Sequence, residues 1–213
     1  MSLRSLLPVN TALARPLVPL FVRLKVSANA LTLLSLACGV LAGAEFSQGT
    51  AGGMLWGAIG FWLANLLDEC DGKVARRSNT ASRLGAFLDT AADSIVHAAL
   101  FLGLGIGLSR QHSGAPWIFL GWAAAGGSLL SFALDVGGIT PWQAPASLSA
   151  SPKESWAWII EWLRIDFSLL VLLSAVLGFV GWILWAGALG VFLFWLPSTF
   201  WIAVRWTPSR KRL

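Results

Sequence analysis

The feature that most constrains the fold is a series of apolar stretches, each about long enough to cross a membrane as a helix. Apolar residues make up 56% of the 213 residues and charged residues only 12%, a composition far from that of a soluble domain. A helix needs about 20 apolar residues to cross ~30 Å of hydrocarbon. The sequence therefore predicts an all-α, polytopic membrane protein with six transmembrane helices. The predicted spans are 29–46, 52–72, 84–108, 116–136, 166–184 and 187–206.

The joins between these spans are short and polar, so residues 1–213 are predicted to form a single membrane domain. The segment 1–27 interleaves apolar and basic residues between Asn10 and Lys25. This pattern is typical of an amphipathic helix that lies in the membrane interface, and an ordinary basic flank is the alternative. Residues 28–206 would form the six-span bundle, and residues 207–213 a basic cytoplasmic tail.

Lys and Arg residues are divided very unevenly between the two ends of the predicted spans. Fourteen of the fifteen fall on one side, and Arg110 alone falls on the other. Because short cytoplasmic loops carry the excess of basic residues, we expect both termini to face the cytoplasm, in the inner membrane. The cations are spread over several loops instead of one compact face, so the net charge of +5 indicates anionic lipid headgroups and no nucleic acid.

Acidic residues are concentrated where the second and third spans meet. Five of the ten fall between positions 68 and 93, although a carboxylate at mid-depth of a membrane costs roughly 2.5–3.5 kcal/mol. Asp68 and Asp71 share one helix face, and Asp89 and Asp93 share a face of the next helix. If the two helices pack as an antiparallel hairpin, the pairs face each other and form a site for Mg²⁺ or Mn²⁺. The alternative is a solvated span end whose acids pair with nearby arginines.

Small residues and arginines accompany these acids. Gly72, Ala75 and Gly85 leave a groove in which a bulky group can approach the backbone. Arginines rim the same segment at Arg76, Arg77 and Arg83. Metal-binding carboxylates beside arginines in a membrane predict a site for a diphosphate attached to a lipid.

The stretch DECDGKVARRSNTASRLGAFLDTAAD resembles the signature of the CDP-alcohol phosphatidyltransferase family, D-x2-D-G-x2-A-R-x8-G-x3-D-x3-D. Every fixed position matches, at Asp68, Asp71, Gly72, Ala75, Arg76, Gly85, Asp89 and Asp93. The six-span layout with an N-terminal interfacial helix is also similar to that of the family. The resemblance implies transfer of a phosphatidyl group from a CDP-linked lipid, such as CDP-diacylglycerol, to an alcohol acceptor with release of CMP. It also implies a homodimer.

The resemblance further implies roles for individual residues. Two divalent metal ions, Mg²⁺ or Mn²⁺, would be held by Asp68, Asp71 and Asp89, with Asp93 contributing to the second. Asp93 would also be the general base that takes the proton from the acceptor hydroxyl. By its position one turn later, and not by the resemblance, His97 would orient Asp93, join the metal shell or pack in the core. Contacts to the CDP-linked lipid are implied for Asn29, Thr32, Gly72, Ala75, Arg76, Ser82 and Gly85.

The acceptor alcohol is less constrained by the sequence. Asp135, at the end of the fourth span, favours an amino-alcohol such as serine or ethanolamine by charge. For a phosphorylated acceptor, only Lys153 and Arg164 supply positive charge nearby. At the start of the fifth span, Arg164 would either line an acceptor pocket with Glu161 and Asp166 or pair with them. The candidate acceptor contacts are Asp135, Lys153 and Arg164.

Two other classes of protein share part of this pattern. An intramembrane prenyltransferase also binds a lipid diphosphate through aspartates and Mg²⁺, but it releases pyrophosphate and does not require the glycine and Ala-Arg positions of the motif. A cation channel or transporter also carries intramembrane acids, but it spreads them across the bilayer, whereas these lie near one surface. The sequence favours the transferase.

Overall fold

The computed structural model describes residues 9–113, 116–136 and 167–190. Within these ranges the chain forms helices and turns with no strand, in agreement with the predicted all-α class. The helices are α1 (Val9–Arg23), α2 (Ala28–Ser47), α3 (Ala51–Arg77), α4 (Arg83–Gln111), α5 (Trp117–Val136), α6 (Phe167–Val176) and α7 (Gly181–Gly190).

Three helices in the described part of the chain are both long and apolar enough to cross a membrane. They are α2, α4 and the Trp117–Leu134 part of α5, which correspond to the first, third and fourth predicted spans. The second predicted span lies within α3, which has 27 residues and continues through the charged segment to Arg77. The charged residues near the end of α3 include Asp68 and Asp71, which the sequence predicts as metal ligands.

The region after α5 differs from the predicted boundaries. The sequence predicts spans over 166–184 and 187–206, whereas the structure breaks the first of these at residues 177–180. Gly178 has a φ of +76°, a conformation that glycine adopts without the clash of a Cβ. The N–H of Phe179 then closes the end of α6 in the manner of a Schellman turn. Hydrophobicity alone does not reveal such a break. The rest of the last predicted span lies outside the described residues.

Helix α2 is at the centre of the packing. It lies along both α3 and α4, whereas α3 and α4 contact each other over only a short length. Helix α5 packs on α4, and α1 and α6 pack on α3. The two acid-bearing helices are therefore held together mainly through α2, instead of packing along their whole length as the hairpin that the sequence suggested.

Glycines allow α2 and α4 to approach each other closely. A Cβ on Gly43 would lie 2.6 Å from the backbone oxygen of Ala99 on α4, well inside van der Waals contact. Small residues at such crossings are a common means of helix association in membranes. Large apolar side chains fill the core on either side of this contact, among them Phe46, Phe61, Leu100 and Leu104.

Gly43→Ala is therefore expected to destabilise the bundle, because the new methyl group meets α4 backbone that cannot rotate away. Overpacking of this kind costs about 1–3 kcal/mol, so the Tm of the detergent-solubilised protein should fall. Gly126→Ala is the matched control, since a Cβ at Gly126 meets nothing within 4 Å. An equal Tm for the two variants would contradict the close contact.

Four helix termini lie together at one end of the bundle, namely the C-termini of α1 and α3 and the N-termini of α2 and α4. Lys25 and Asn79 have φ values of +55° and +53° and close α1 and α3 with tight turns. The hydroxyls of Ser27 and Ser82 cap α2 and α4 by accepting a backbone N–H of the first turn at 3.2 and 3.0 Å. The acidic segment lies at this end.

Candidate active site

Three aspartates from two helices converge at this end of the bundle. Asp68 and Asp71 come from α3 and Asp89 from α4, and one carboxylate oxygen of each lies within 4.8 Å of the others. Asp71 is buried, with 3% of its surface exposed, and the other two are partly buried. Three carboxylates at this spacing repel one another in a poorly solvated site, so the arrangement favours a bound cation.

The donor set of this triad fits a divalent metal ion. Mg²⁺ prefers oxygen ligands at about 2.1 Å, so two oxygens on one ion lie at most about 4.2 Å apart. Oxygens within 4.8 Å of one another need only small side-chain movements to reach that spacing. The residues can therefore hold a metal ion.

Thr32 holds the buried member of the triad in place. Its hydroxyl donates to Asp71 Oδ2 at 2.5 Å, and the backbone oxygen of Ala28 is also within reach at 3.1 Å. The sequence predicts Thr32 only as a contact of the CDP-linked lipid. The additional bond joins α2 to α3, and helical periodicity cannot predict it because the two residues lie on different helices.

Asp93 lies one turn beyond Asp89 and outside the group of three. Its side chain is 53% exposed, and its Oδ1 lies 3.1 Å from Nδ1 of His97. The same Nδ1 lies 2.9 Å from the backbone oxygen of Asp93. Both partners are acceptors, so Nδ1 must carry a proton. Phe61 and Phe167 contact the His97 ring at centroid distances of 5.6 and 6.1 Å. His97 is thus packed by aromatic rings and also bonded to Asp93, which combines two of the three roles that the sequence left as alternatives.

A cavity of about 520 Å³ lies against the triad, at the meeting point of α1, α2, α3 and α4. This volume is typical of sites for small organic ligands. Asp71 and Asp89 line it, whereas Asp68 and Asp93 are not among its lining residues. The residues expected to contact the CDP-linked lipid all line it, namely Asn29, Thr32, Gly72, Ala75, Arg76, Ser82 and Gly85.

Gly85 keeps one wall of this cavity open. A Cβ at Gly85 would lie 3.2 Å from Ser82 Oγ and 3.6 Å from Asn29 Oδ1, so two polar side chains stand beside it. On the opposite wall, the guanidinium of Arg76 lies against Gly72, whose added Cβ would be 3.4 Å from it. The cavity thus places the Arg76 guanidinium and the polar side chains of Ser82 and Asn29 next to the acidic triad. This combination suits an anionic ligand that also carries polar groups.

One wall of the cavity comes from a segment that the sequence did not associate with the site. Val22, Lys25, Val26 and Ser27, at the turn between α1 and α2, line it. No glycine or acidic pattern marks this turn, which the sequence assigned to the membrane surface. In contrast, Arg76 is the only one of the three predicted rim arginines that lines the cavity.

Three residues are predicted to contact the acceptor. Lys153 and Arg164 lie outside the described residues, as does the side chain of Asp135, whose backbone belongs to α5.

The fold and the site together define a helical membrane protein in which an acidic triad able to hold a divalent metal ion lies beside a cavity for an anionic ligand. The sequence model of the CDP-alcohol phosphatidyltransferases matches residues 25–196. The chain belongs to the CDP-alcohol phosphatidyltransferase family.

Several curated proteins are similar to this chain over a shorter region. The phosphatidylinositol phosphate synthase of Corynebacterium glutamicum is 35% identical over 89 residues, which are 42% of this chain and 40% of that protein. Cholinephosphotransferase 1 of Gallus gallus is 35% identical over 91 residues, 43% of this chain and 26% of that protein. The CDP-diacylglycerol–glycerol-3-phosphate 3-phosphatidyltransferase of Salmonella choleraesuis is 29% identical over 99 residues, 46% of this chain and 50% of that protein. The matched region spans half or less of each relative, and their names refer to different alcohols.

Proposed function

We propose that this protein is a metal-dependent enzyme of phospholipid biosynthesis that transfers a phosphatidyl group from a CDP-linked lipid, such as CDP-diacylglycerol, to an alcohol acceptor and releases CMP. The observation that carries the proposal is that the triad of Asp68, Asp71 and Asp89 lies beside a cavity of about 520 Å³, which Asp71 and Asp89 line. The seven residues implied for the CDP-linked lipid line the same cavity. Family membership supports the same chemistry.

The triad would hold two divalent ions, Mg²⁺ or Mn²⁺, with Asp93 contributing to the second. Bound there, the metal supplies positive charge that neutralises a diphosphate and stabilises the CMP leaving group. Arg76 adds charge-assisted hydrogen bonds to the phosphate oxygens. The hydroxyl of Ser82 and the amide of Asn29, both lining the cavity, would bind the polar part of the nucleotide.

Asp93 would act as the general base. Its exposed carboxylate can accept the proton of an acceptor hydroxyl that arrives from water. The acceptor oxygen then bonds to the β-phosphorus of the donor, and the bond from this phosphorus to the oxygen that leaves with CMP breaks. The products are a phosphodiester lipid and CMP, and Asp93 releases its proton to solvent.

His97 is expected to position this base. His97→Leu removes the donor that orients the Asp93 carboxylate and should lower kcat by about tenfold, as is usual when a group that orients a functional side chain is lost. His97→Asn is the matched variant, because its amide N–H can take the place of Nδ1 and should restore most of kcat. The KM for the CDP-linked lipid should change little in both variants. Equal losses in both would indicate a purely structural role.

The six-span topology and the cytoplasmic location of the site are part of the proposal. The distribution of charge among the described residues supports the cytoplasmic location. Arg110 lies at the opposite end of the bundle from the site, where it donates to the backbone oxygen of Ser47 at 2.7 Å. Arg76 and Arg77 lie at the site end, in the last turn of α3. An excess of cations on the side of the site is what a cytoplasmic surface favours.

The surface of α1 supports its placement in the membrane interface. One face of the helix, with Asn10, Ala14 and Val18, is buried in the protein. A different face exposes Leu13 and Leu20, which would enter the boundary between headgroups and acyl chains. A homodimer is also part of the proposal and rests on the resemblance to the family.

The test of this function is an acceptor screen with the purified protein. CDP-diacylglycerol and Mg²⁺ or Mn²⁺ would be supplied with serine, ethanolamine, glycerol 3-phosphate or inositol phosphate, and CMP release would be measured. We expect CMP release with one acceptor class, and the charge of Asp135 favours the amino-alcohols. Activity with phosphorylated acceptors alone would reject that preference. Release of pyrophosphate from a prenyl diphosphate, or no CMP with any acceptor, would reject the function.

A further inference from the structure

A second concave site shares Arg76 with the cavity of about 520 Å³ beside the triad, which we call the nucleotide cavity. It is a cleft of about 440 Å³ between α1 and the last turns of α3. We call it the basic cleft, and its lining residues are Arg15, Val18, Lys73, Arg76 and Arg77. Four of these five side chains are cationic and none is acidic.

The positive charge of the basic cleft is only partly neutralised within the protein. Lys73 pairs with Glu69 one turn earlier on α3, and Glu69 also accepts a bond of 2.8 Å from the hydroxyl of Thr11. This pair fixes the edge of the cleft. Among the described residues, no carboxylate forms an ion pair with Arg15 or Arg77. Cations gathered in one cleft without matching carboxylates repel one another, and a bound anion removes this repulsion.

The position of the cleft restricts the kinds of anion that can reach it. At about 100° per residue, Arg15 lies roughly 140° around α1 from Leu20 and roughly 160° from Leu13, both of which are exposed and apolar. With α1 in the membrane interface, as proposed above, those leucines face the acyl chains and the cleft opens at the depth of the headgroups. A lipid phosphate and a phosphate dissolved in the cytoplasm can both reach this depth.

We propose that the basic cleft is a phosphate-binding site, separate from the nucleotide cavity, that takes the phosphate of an anionic phospholipid headgroup or of a soluble phosphate compound. The planar guanidinium groups of Arg15 and Arg77 match the oxygens of a phosphate with paired hydrogen bonds. The Lys73 ammonium, held beside them by Glu69, adds a compact charge.

The test uses the full chain in detergent without divalent metal, so that the probe cannot bind through a metal ion at the acidic triad. Arg15 is the residue varied, because it lines the cleft and does not line the nucleotide cavity. Tm would be followed in two titrations at constant ionic strength, one with phosphatidylglycerol in mixed micelles and the other with inorganic phosphate. We expect at least one probe to raise Tm, and Arg15→Gln to weaken its apparent affinity by about tenfold, the loss of roughly one charge-assisted hydrogen bond. Arg23→Gln is the matched control, because Arg23 is exposed on the same helix and does not line the cleft.

A response to phosphatidylglycerol alone identifies a lipid headgroup as the ligand, and a response to inorganic phosphate identifies a soluble phosphate. Either supports the proposal if Arg23→Gln behaves as the wild type does. Equal weakening in both variants would show general attraction to a basic surface and overturn the proposal, as would the absence of any shift. Arg15→Lys provides a second variant that keeps the charge and loses the paired geometry, and its affinity should fall between those of the wild type and Arg15→Gln.

Discussion

Asp93→Asn is expected to lower the rate of CMP release by about 10²- to 10⁴-fold, the usual contribution of a general base. The amide has nearly the shape of the carboxylate, and its oxygen can still accept the bond from His97 Nδ1, which lies 3.1 Å from Asp93 Oδ1 in the wild type. It cannot take a proton from the acceptor. The triad keeps its three carboxylates, so binding of Mn²⁺ and of the CDP-linked lipid should be largely retained, and only the second ion, to which Asp93 contributes, should bind more weakly.

The measurement is kcat for CMP release together with a Mn²⁺ titration of the same preparation. Glu69→Gln is the control, because it makes the same chemical change on α3 at a carboxylate that pairs with Lys73 and belongs to neither the triad nor the cavity. It should leave kcat within about twofold of the wild type, as is usual for changes away from an active site. If Asp93→Asn also leaves kcat unchanged, Asp93 is not the base.

The second large effect is expected for Asp89→Asn, which removes the α4 carboxylate from the triad. Asp68 and Asp71 would then have to hold the metal from α3 alone. Loss of a group that merely supports a ligand costs about 10- to 100-fold, so loss of a ligand should reduce activity by more than about 100-fold. The apparent affinity for Mn²⁺ should fall in parallel.

The response to added metal separates the two aspartates. A high Mn²⁺ concentration should partly restore the activity of Asp89→Asn, because the defect is in binding, and it should not restore Asp93→Asn. A chelator should abolish wild-type activity, and Mn²⁺ should recover it. If Asp89→Asn binds Mn²⁺ as the wild type does, the assignment of the triad to a metal is wrong.

Part of the fold could be predicted because a membrane imposes a simple length rule. The apolar stretches predicted at 29–46, 84–108 and 116–136 correspond to α2, α4 and α5, since a helix must satisfy its backbone hydrogen bonds within the hydrocarbon. The break at Gly178 could not be predicted in this way, because the residues around it are as apolar as the helices that it separates. Its positive φ is a local backbone property that hydropathy does not report.

The candidate site, like the fold, could be predicted only in part from the sequence. The pairing of Asp68 with Asp71 and of Asp89 with Asp93 could be predicted from the sequence, because residues three or four apart share a helix face. Two features of the site could not be predicted from the sequence, because both depend on how separate helices are placed. They are the hydrogen bond from Thr32 to Asp71 and the part of the cavity wall that Lys25 and its neighbours form. The basic cleft belongs to this second group, because Arg15 and Lys73 are 58 residues apart in the chain and meet only where α1 packs on α3.

Two properties follow from the sequence alone: the chain is helical and suited to a membrane, and its chemistry is concentrated between Asp68 and Asp93. Both follow from local rules, the cost of exposing backbone and charge to hydrocarbon and the 3.6-residue repeat of a helix. The grouping of the carboxylates depends on how the helices pack, which brings Asp68, Asp71 and Asp89 together and places Asp93 beside His97. That division depends on how α3 and α4 are held by α2 through glycine contacts such as Gly43, and the packing of three helices is not a property of any one segment of sequence.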